Sequence, residues 1–308
     1  MQTRWIGELE VSEVGLGCNN FGGRLDEAGT DAVVGAAIDA GVTFFDTADI
    51  YGGTRSEEFL GRVLGARRDE IVLATKFGMP IDDERVGAHP DYVKRACEDS
   101  LRRLQTDHID LYQLHAPDPA VPIADTLGAL HELQAEGKVR EIGCSNLSAA
   151  QLEEASLRAG DLAPFRSVQN QYSLLWREPE TDGVLDAAER LGLAFLPYYP
   201  LANGLLTGKI TPGAPLPEGT RLAMMPPERS AHWLSDVFSA RVRELLRFSE
   251  DRGIPMLSLA FSWLLAHEPV ASVIAGASSP EQVRANAAAP VALDEFIFDE
   301  LDELTGDD

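Results

Sequence analysis

Four side chains in the first part of the chain, Asp46, Tyr51, Lys76 and His115, have types that could work together on one reacting group. Delivering hydride to a carbonyl carbon leaves an oxygen that needs a proton. A tyrosine supplies that proton near neutral pH only where its phenolate form is stabilised. A lysine ammonium close to the phenol favours the phenolate, whereas burial alone opposes it. An aspartate beside the lysine would keep it charged and oriented, because an isolated buried ammonium sheds its proton. A histidine at the same place could donate to the substrate oxygen or orient it. Taken singly, each has a plainer account: Asp46 as a helix cap, His115 as a structural residue, Tyr51 packed on its loop, Lys76 paired with a surface acid. Only joint placement makes them a chemical unit.

The elements that must position them are legible as an alternation of short β-branched or aromatic runs with helix-length amphipathic stretches, the pattern of βα units and a parallel sheet. Eight runs are readable: Glu13–Cys18, Thr43–Asp46, Ile71–Lys76, Ile109–His115, Val139–Ser145, Ser167–Gln171, Ala194–Tyr198 and Ala271–Ala275. Eight parallel strands predict a closed (β/α)8 TIM barrel, and 308 residues accommodate its roughly 250 with insertions as a single domain spanning 1–308. Asp46, Lys76 and His115 then fall at the C-terminal ends of the second, third and fourth strands, the face where barrel enzymes keep their active sites. Tyr51 sits five residues beyond Asp46, close enough to turn back over the same mouth.

Between the strands, Thr30–Ala40 reads as a helix stopped by Gly41, Pro90 opens Asp91–Leu104, and Ala124–Glu136 ends at Gly137. Thr3–Val11, centred on Gly7-Glu8, reads as a small N-terminal hairpin plugging one barrel end. The Gly- and Pro-rich stretch Leu201–Trp233, a long loop after the seventh strand, exceeds an ordinary connection and reads as a functional or mobile segment.

Bulk composition narrows the partners. A net charge of -24, spread along the chain, disfavours nucleic acid and anionic membranes. No apolar run approaches the ~20 residues of a membrane span, and the N-terminus carries no secretory h-region. Three cysteines without a CxxC pair argue for a reducing compartment and against disulfides or a metal site. A cytoplasmic protein is expected.

The wording of several segments is specific. Phe44-Phe45-Asp46-Thr47-Ala48-Asp49-Ile50-Tyr51-Gly52 followed by Ser56-Glu57-Glu58-Phe59-Leu60-Gly61, then Ala74-Thr75-Lys76-Phe77-Gly78, Asp110-Leu111-Tyr112-Gln113-Leu114-His115 and Gly137 to Asn146, occur in order. Together they resemble the aldo-keto reductase superfamily, and the resemblance runs from about Val11 to Ala288. It implies an oxidoreductase that reduces aldehydes or ketones to alcohols, or the reverse, with a nicotinamide nucleotide. Asp46, Tyr51, Lys76 and His115 match the family's tetrad, with Tyr51 as general acid.

By the same resemblance, Ser145, Asn146 and Gln169 would bond the nicotinamide carboxamide and Tyr198 would stack under the ring. The segment Leu201 to Lys209, including Asn203 and Gly204, would fold over the pyrophosphate, and Gly276, Ser278, Gln282 and Asn286 would serve the adenosine end at a helix N-terminus. Many NADPH-preferring relatives carry Lys where this chain has Gly276-Ala277 and Arg where it has Gln282; the resemblance still favours NADP(H) over NAD(H). Gly15-Leu16-Gly17 lacks the third glycine and the following helix of a Rossmann turn.

Substrate contacts are expected from Asn19, Asn20 and Phe21, from Phe77, and from Trp176 with Arg177. Two other classes stay open at this point: a lyase using Lys76 as a Schiff-base amine, and a regulatory subunit that senses the cofactor without turning substrate over.

Overall fold

In the computed structural model of the protein, residues 1–160 and 162–306 are described. Thr3–Ile6 (β1) and Leu9–Ser12 (β2) pair antiparallel with Ile6 opposite Leu9. Gly7, at φ +57°, takes the turn position that a side chain resists. The hairpin buries Ile6, Leu9 and Val11 against Phe44, Ala74, Leu111, Leu196 and Ile274, a compact apolar plug.

Eight parallel strands follow: Val14–Gly17 (β3), Phe44–Asp46 (β4), Val72–Phe77 (β5), Ile109–Leu114 (β6), Val139–Ser145 (β7), Ser167–Gln169 (β8), Ala194–Phe195 (β9) and Val273–Gly276 (β10). Their order is β10-β3-β4-β5-β6-β7-β8-β9. Parallel bridges Phe195–Val270 and Tyr198–Ile274 join the two ends of that sheet, which makes it the expected barrel. Three late strands are shorter than expected. Pro197 and Pro200 flank Tyr198 and have no N–H to give a ladder, so β9 stops at Phe195 and its partner β8 at Gln169. Gly15 and Gly17 lie within β3, where a side chain on Gly15 would strike Phe44, so they form no nucleotide turn.

The helices are Glu27–Asp39 (α1), Arg55–Leu64 (α2), Pro90–Leu104 (α3), Ile123–Ala135 (α4), Ala149–Ala159 (α5), Glu178–Thr181 (α6), Val184–Leu191 (α7), Arg221–Met224 (α8), Pro227–Trp233 (α9), Asp236–Arg252 (α10), Met256–Ala266 (α11), Pro280–Ala287 (α12) and Glu295–Thr305 (α13). The first helix starts three residues before the expected Thr30, because Asp26 caps it by accepting from the Gly29 N–H at 2.9 Å. The next two expected helices begin and end within one residue of their predicted bounds, Pro90 at the first position of α3 and Gly137 just past α4. Among the described residues no helix is long and apolar enough to cross a membrane.

What positions the site is the period of two along each strand. On β4, Phe45 faces the helices while Phe44 joins the plug. Two residues on from Phe44, Ala74 and Leu111, the same inward face carries Asp46, Lys76 and Gln113. The apolar floor of the barrel is therefore roofed, one pleat higher, by a layer of polar side chains.

Candidate active site

Lys76 is fully buried, and its Nζ donates to Asp46 Oδ2 at 2.6 Å and to the Thr47 carbonyl at 3.0 Å. The other oxygen of Asp46, Oδ1, accepts from Gln113 Nε2 and from Gln169 Nε2, each at 3.1 Å. Each charge of this buried pair thus meets the other and at least one further polar partner, the condition for keeping two charges out of water. Burial pulls the Lys76 ammonium toward losing its proton, but the charge of Asp46, the Tyr51 phenol and hydrogen bonding of the ammonium to both hold it above the usual lysine value. A charged, enclosed ammonium is no Schiff-base nucleophile, which removes the chemical basis of the lyase reading.

Tyr51 returns over the barrel mouth on a tight turn. Gly52, at φ +61°, lies so close to the Phe21 carbonyl that a Cβ would come within 2.5 Å of it, so only glycine lets the loop bend this way. The Lys76 ammonium stands 5.2 Å from the Tyr51 ring centre, and the His115 ring meets Tyr51 edge-on at 5.7 Å. Burial pushes the Tyr51 phenol above its ordinary range, and Lys76 opposes that by charge and hydrogen bonding without overcoming it. Tyr51 therefore carries its proton at neutral pH. Burial and the nearby Lys76 charge press His115 down to about 3, so its imidazole is neutral; its Nδ1 is buried without a partner.

These groups open onto a cavity of about 890 Å³. Asp46, Tyr51 and His115 line it, and so does each residue assigned to the cofactor by resemblance: Ser145, Asn146, Gln169, Tyr198, Leu201, Asn203, Gly204, Lys209, Gly276, Ser278, Gln282 and Asn286. The donor chemistry suits an elongated nicotinamide nucleotide. At one end Gln169 has its amide nitrogen on Asp46, which leaves its oxygen to accept; Ser145 Oγ donates to the Gln169 carbonyl at 2.6 Å, and Tyr198 donates to Asn146 Oδ1 at 2.8 Å. Elsewhere on the wall, Asn203 has a buried Oδ1 with no partner, and Arg24, Lys209 and Arg221 supply positive charge in a chain of net charge -24. At the far end Gln282 Oε1 accepts from the Ser278 N–H at 2.8 Å, tying the 276–279 loop to the start of α12.

The substrate assignments divide. Asn19 and Asn20 line the cavity, but Phe21 and Phe77 are fully buried in the core behind the strands, Phe77 against Tyr112 at 4.7 Å between ring centres. Phe77 alternates with the inward-facing Lys76 on β5 and so points to the helices, and Phe21 in the loop after β3 packs into the same core cluster. Trp176 packs on Trp233 and His232 of α9, and Arg177 binds Glu180 and Asp302, so neither reaches the cavity. Met79, Tyr199 and Ile274 are wall residues that the sequence reading missed, whereas Arg221 comes from the 202–233 segment expected to contribute. The 201–233 stretch accounts for part of this: Pro217 to Arg221 cross the mouth, Arg24 donates to the Gly219 carbonyl, and Arg221 bonds the Tyr199 hydroxyl at 2.9 Å while stacking on its ring.

Asp49, near Glu57 of α2 and Arg103 of α3, is buried with neither carboxylate oxygen hydrogen-bonded. Burial first, and then the charge of Glu57, raise it from 3.8 to about 7. The folded state then keeps a proton that the unfolded chain releases, so stability falls as pH rises between those two values and levels off above. Asp49→Asn removes that dependence. Urea unfolding should show the variant's gain over wild type growing from pH 4 to pH 8 by on the order of a few kcal/mol; a gain equal at both pH values would refute the assignment.

The profile of the Aldo/keto reductase family matches residues 13–305. The chain is 36% identical over 286 residues to aldo-keto reductase YhdN of Bacillus subtilis, covering 90% of this chain and 84% of that protein. It is 36% identical over 304 residues to aldo-keto reductase str7 of Strobilurus tenacellus, covering 94% and 87%. Among solved structures, the holo form of aldo-keto reductase AKR11C1 from Bacillus halodurans superposes with a TM-score of 0.80 at 33% identity, over 99% of this chain and 96% of that one. With an extended cavity across the strand ends and a buried lysine–aspartate pair under a tyrosine at its edge, the chain belongs to the aldo/keto reductase family.

Proposed function

We propose that this enzyme, a nicotinamide-dependent oxidoreductase acting on carbonyl and alcohol groups, uses Tyr51 as its proton donor and Lys76, Asp46 and His115 to prepare that donor and the substrate oxygen. When bound, the nicotinamide supplies the hydride. Tyr51 and the neutral His115 both face the place where a carbonyl oxygen would sit, and both donate to it as negative charge builds there. As Tyr51 gives up its proton, the Lys76 ammonium neutralises the phenolate, and Asp46 keeps Lys76 in place throughout. The observation that carries the reading is the hydrogen-bonded line from Gln169 and Gln113 through Asp46 to Lys76, with the Tyr51 ring centre 5.2 Å from the Lys76 ammonium, apolar packing below and one cavity above.

Substrates of this reading are small aldehydes and ketones, with Met79, Tyr199 and Asn19 among the residues that wall the cavity. The whole barrel serves as one domain, and three free, buried cysteines suit the reducing cytoplasm. NADP(H) is proposed over NAD(H), on the family resemblance and on the positive charge that Arg24, Lys209 and Arg221 place along the cavity. Fluorescence titration of the purified protein with each nucleotide tests this. NADPH should bind about tenfold more tightly than NADH, a difference of about 1.4 kcal/mol; equal or tighter binding of NADH would reverse the assignment.

A further inference from the structure

We propose that Gln113 is a positioning residue for proton transfer, holding the Asp46 carboxylate so that Lys76 presents its charge to Tyr51; the inference rests on the reading of Tyr51 as proton donor. Gln113 is fully buried and does not line the cavity, so it touches neither substrate nor nucleotide. It lies in β6 beside Lys76 on one flank and Gly143 on the other. Its Nε2 donates to Asp46 Oδ1 at 3.1 Å, and its Oε1 accepts more weakly from Gln169 Nε2 at 3.4 Å.

A primary amide enclosed in a barrel core costs free energy unless its bonds are made, and an apolar side chain would fill the same place without that cost. The neighbouring strand makes room for it. A Cβ on Gly143 would stand 3.2 Å from Gln113 Cγ and 2.3 Å from Ser167 Oγ. The two amides on Oδ1 leave Oδ2 as the single oxygen for Lys76, which fixes the plane of the carboxylate. The titratable and charged groups around Asp46 are Lys76 from β5, Tyr51 from the loop after β4, Cys18 after β3 and His115 after β6. Of these Tyr51 reports most directly: after burial and the opposing charge of Lys76, the charge of Asp46 also acts on its phenol and pushes it upward, and because an amide bonded to Oδ1 draws charge off the carboxylate, losing one should strengthen that push.

The test uses the full-length protein with Gln113→Leu and Gln113→Glu. For Gln113→Leu, kcat should fall about tenfold and the basic limb of its pH profile should move up by about half a unit, with KM for nucleotide changed less than about twofold. For Gln113→Glu, the new carboxyl donates to Asp46 while protonated, so activity at acid pH should approach wild type. As the pH rises it ionises against Asp46, and a new basic limb should cut activity well below neutral-pH wild type. A residue that merely filled space would lower activity equally at every pH. Wild-type kcat and profile in both variants, or a loss independent of pH, would overturn the inference. Absence of turnover in the wild-type protein would count against the Tyr51 reading, and so against both.

Discussion

A Tyr51→Phe protein is expected to reduce aldehydes about a thousandfold more slowly than wild type while binding nucleotide within about twofold, since a positioned general acid contributes roughly 10²–10⁴ in rate. The ring itself stays, with its edge contact to His115 and its place over Lys76, so packing is conserved and only the hydroxyl is lost. His115 is the other donor at the cavity edge, but its imidazole is neutral and can polarise the oxygen without giving it a full proton at neutral pH. The residual rate should therefore show little dependence on pH where wild type loses activity as Tyr51 ionises. Rates measured with saturating nucleotide separate the two effects; undiminished turnover would remove Tyr51 from the chemistry.

Replacing Lys76 with methionine should be the most damaging single change, because it acts on folding and on catalysis together. Methionine fills the space of the lysine stem, yet it leaves the Asp46 carboxylate buried with two amide donors and no counter-charge. Breaking a buried ion pair in this one-sided manner costs about 3–5 kcal/mol, which urea unfolding would read as a lowered midpoint at constant slope. Turnover should drop by about a thousandfold or more, since the phenolate left by proton transfer loses the ammonium that balances it. Lys76→Met with Asp46→Asn should recover much of the stability and none of the activity, because the stranded charge is gone while the chemistry is still missing. Turnover retained in either protein would contradict the role given to Lys76.

The placement of Asp46, Tyr51, Lys76 and His115 side by side at the barrel mouth was legible from sequence because each position is fixed by short-range rules: Asp46 and Lys76 by strand ends, His115 by the residue after β6, Tyr51 by a glycine turn. The barrel was legible from the alternation of runs, and proline or a cap overrides the pattern at two of the boundaries it missed, at β9 and at Asp26. Gln113 was passed over although a signal was present. It is the polar residue two positions before His115, on the same face as Leu111, in a strand otherwise apolar toward the barrel interior. Reading the period of two upward from the plug would have found it. The substrate wall was the least legible part, for a physical reason. Whether Phe21, Phe77 or Trp176 lines a cavity depends on which side of the loop faces the helices, a matter of long-range packing. Arg221 and Tyr199 meet only because the 201–233 stretch folds back across the mouth, and no local pattern encodes that return.

The most direct test of the account is aldehyde-dependent oxidation of bound NADPH, followed by loss of the reduced nicotinamide absorbance and by recovery of the alcohol, over a panel of small aldehydes and ketones. One alcohol formed per nucleotide oxidised, with turnover lost in Tyr51→Phe, is the predicted result. Tight nucleotide binding with no oxidation by any carbonyl would contradict it, and would point to a protein that senses the cofactor without using it.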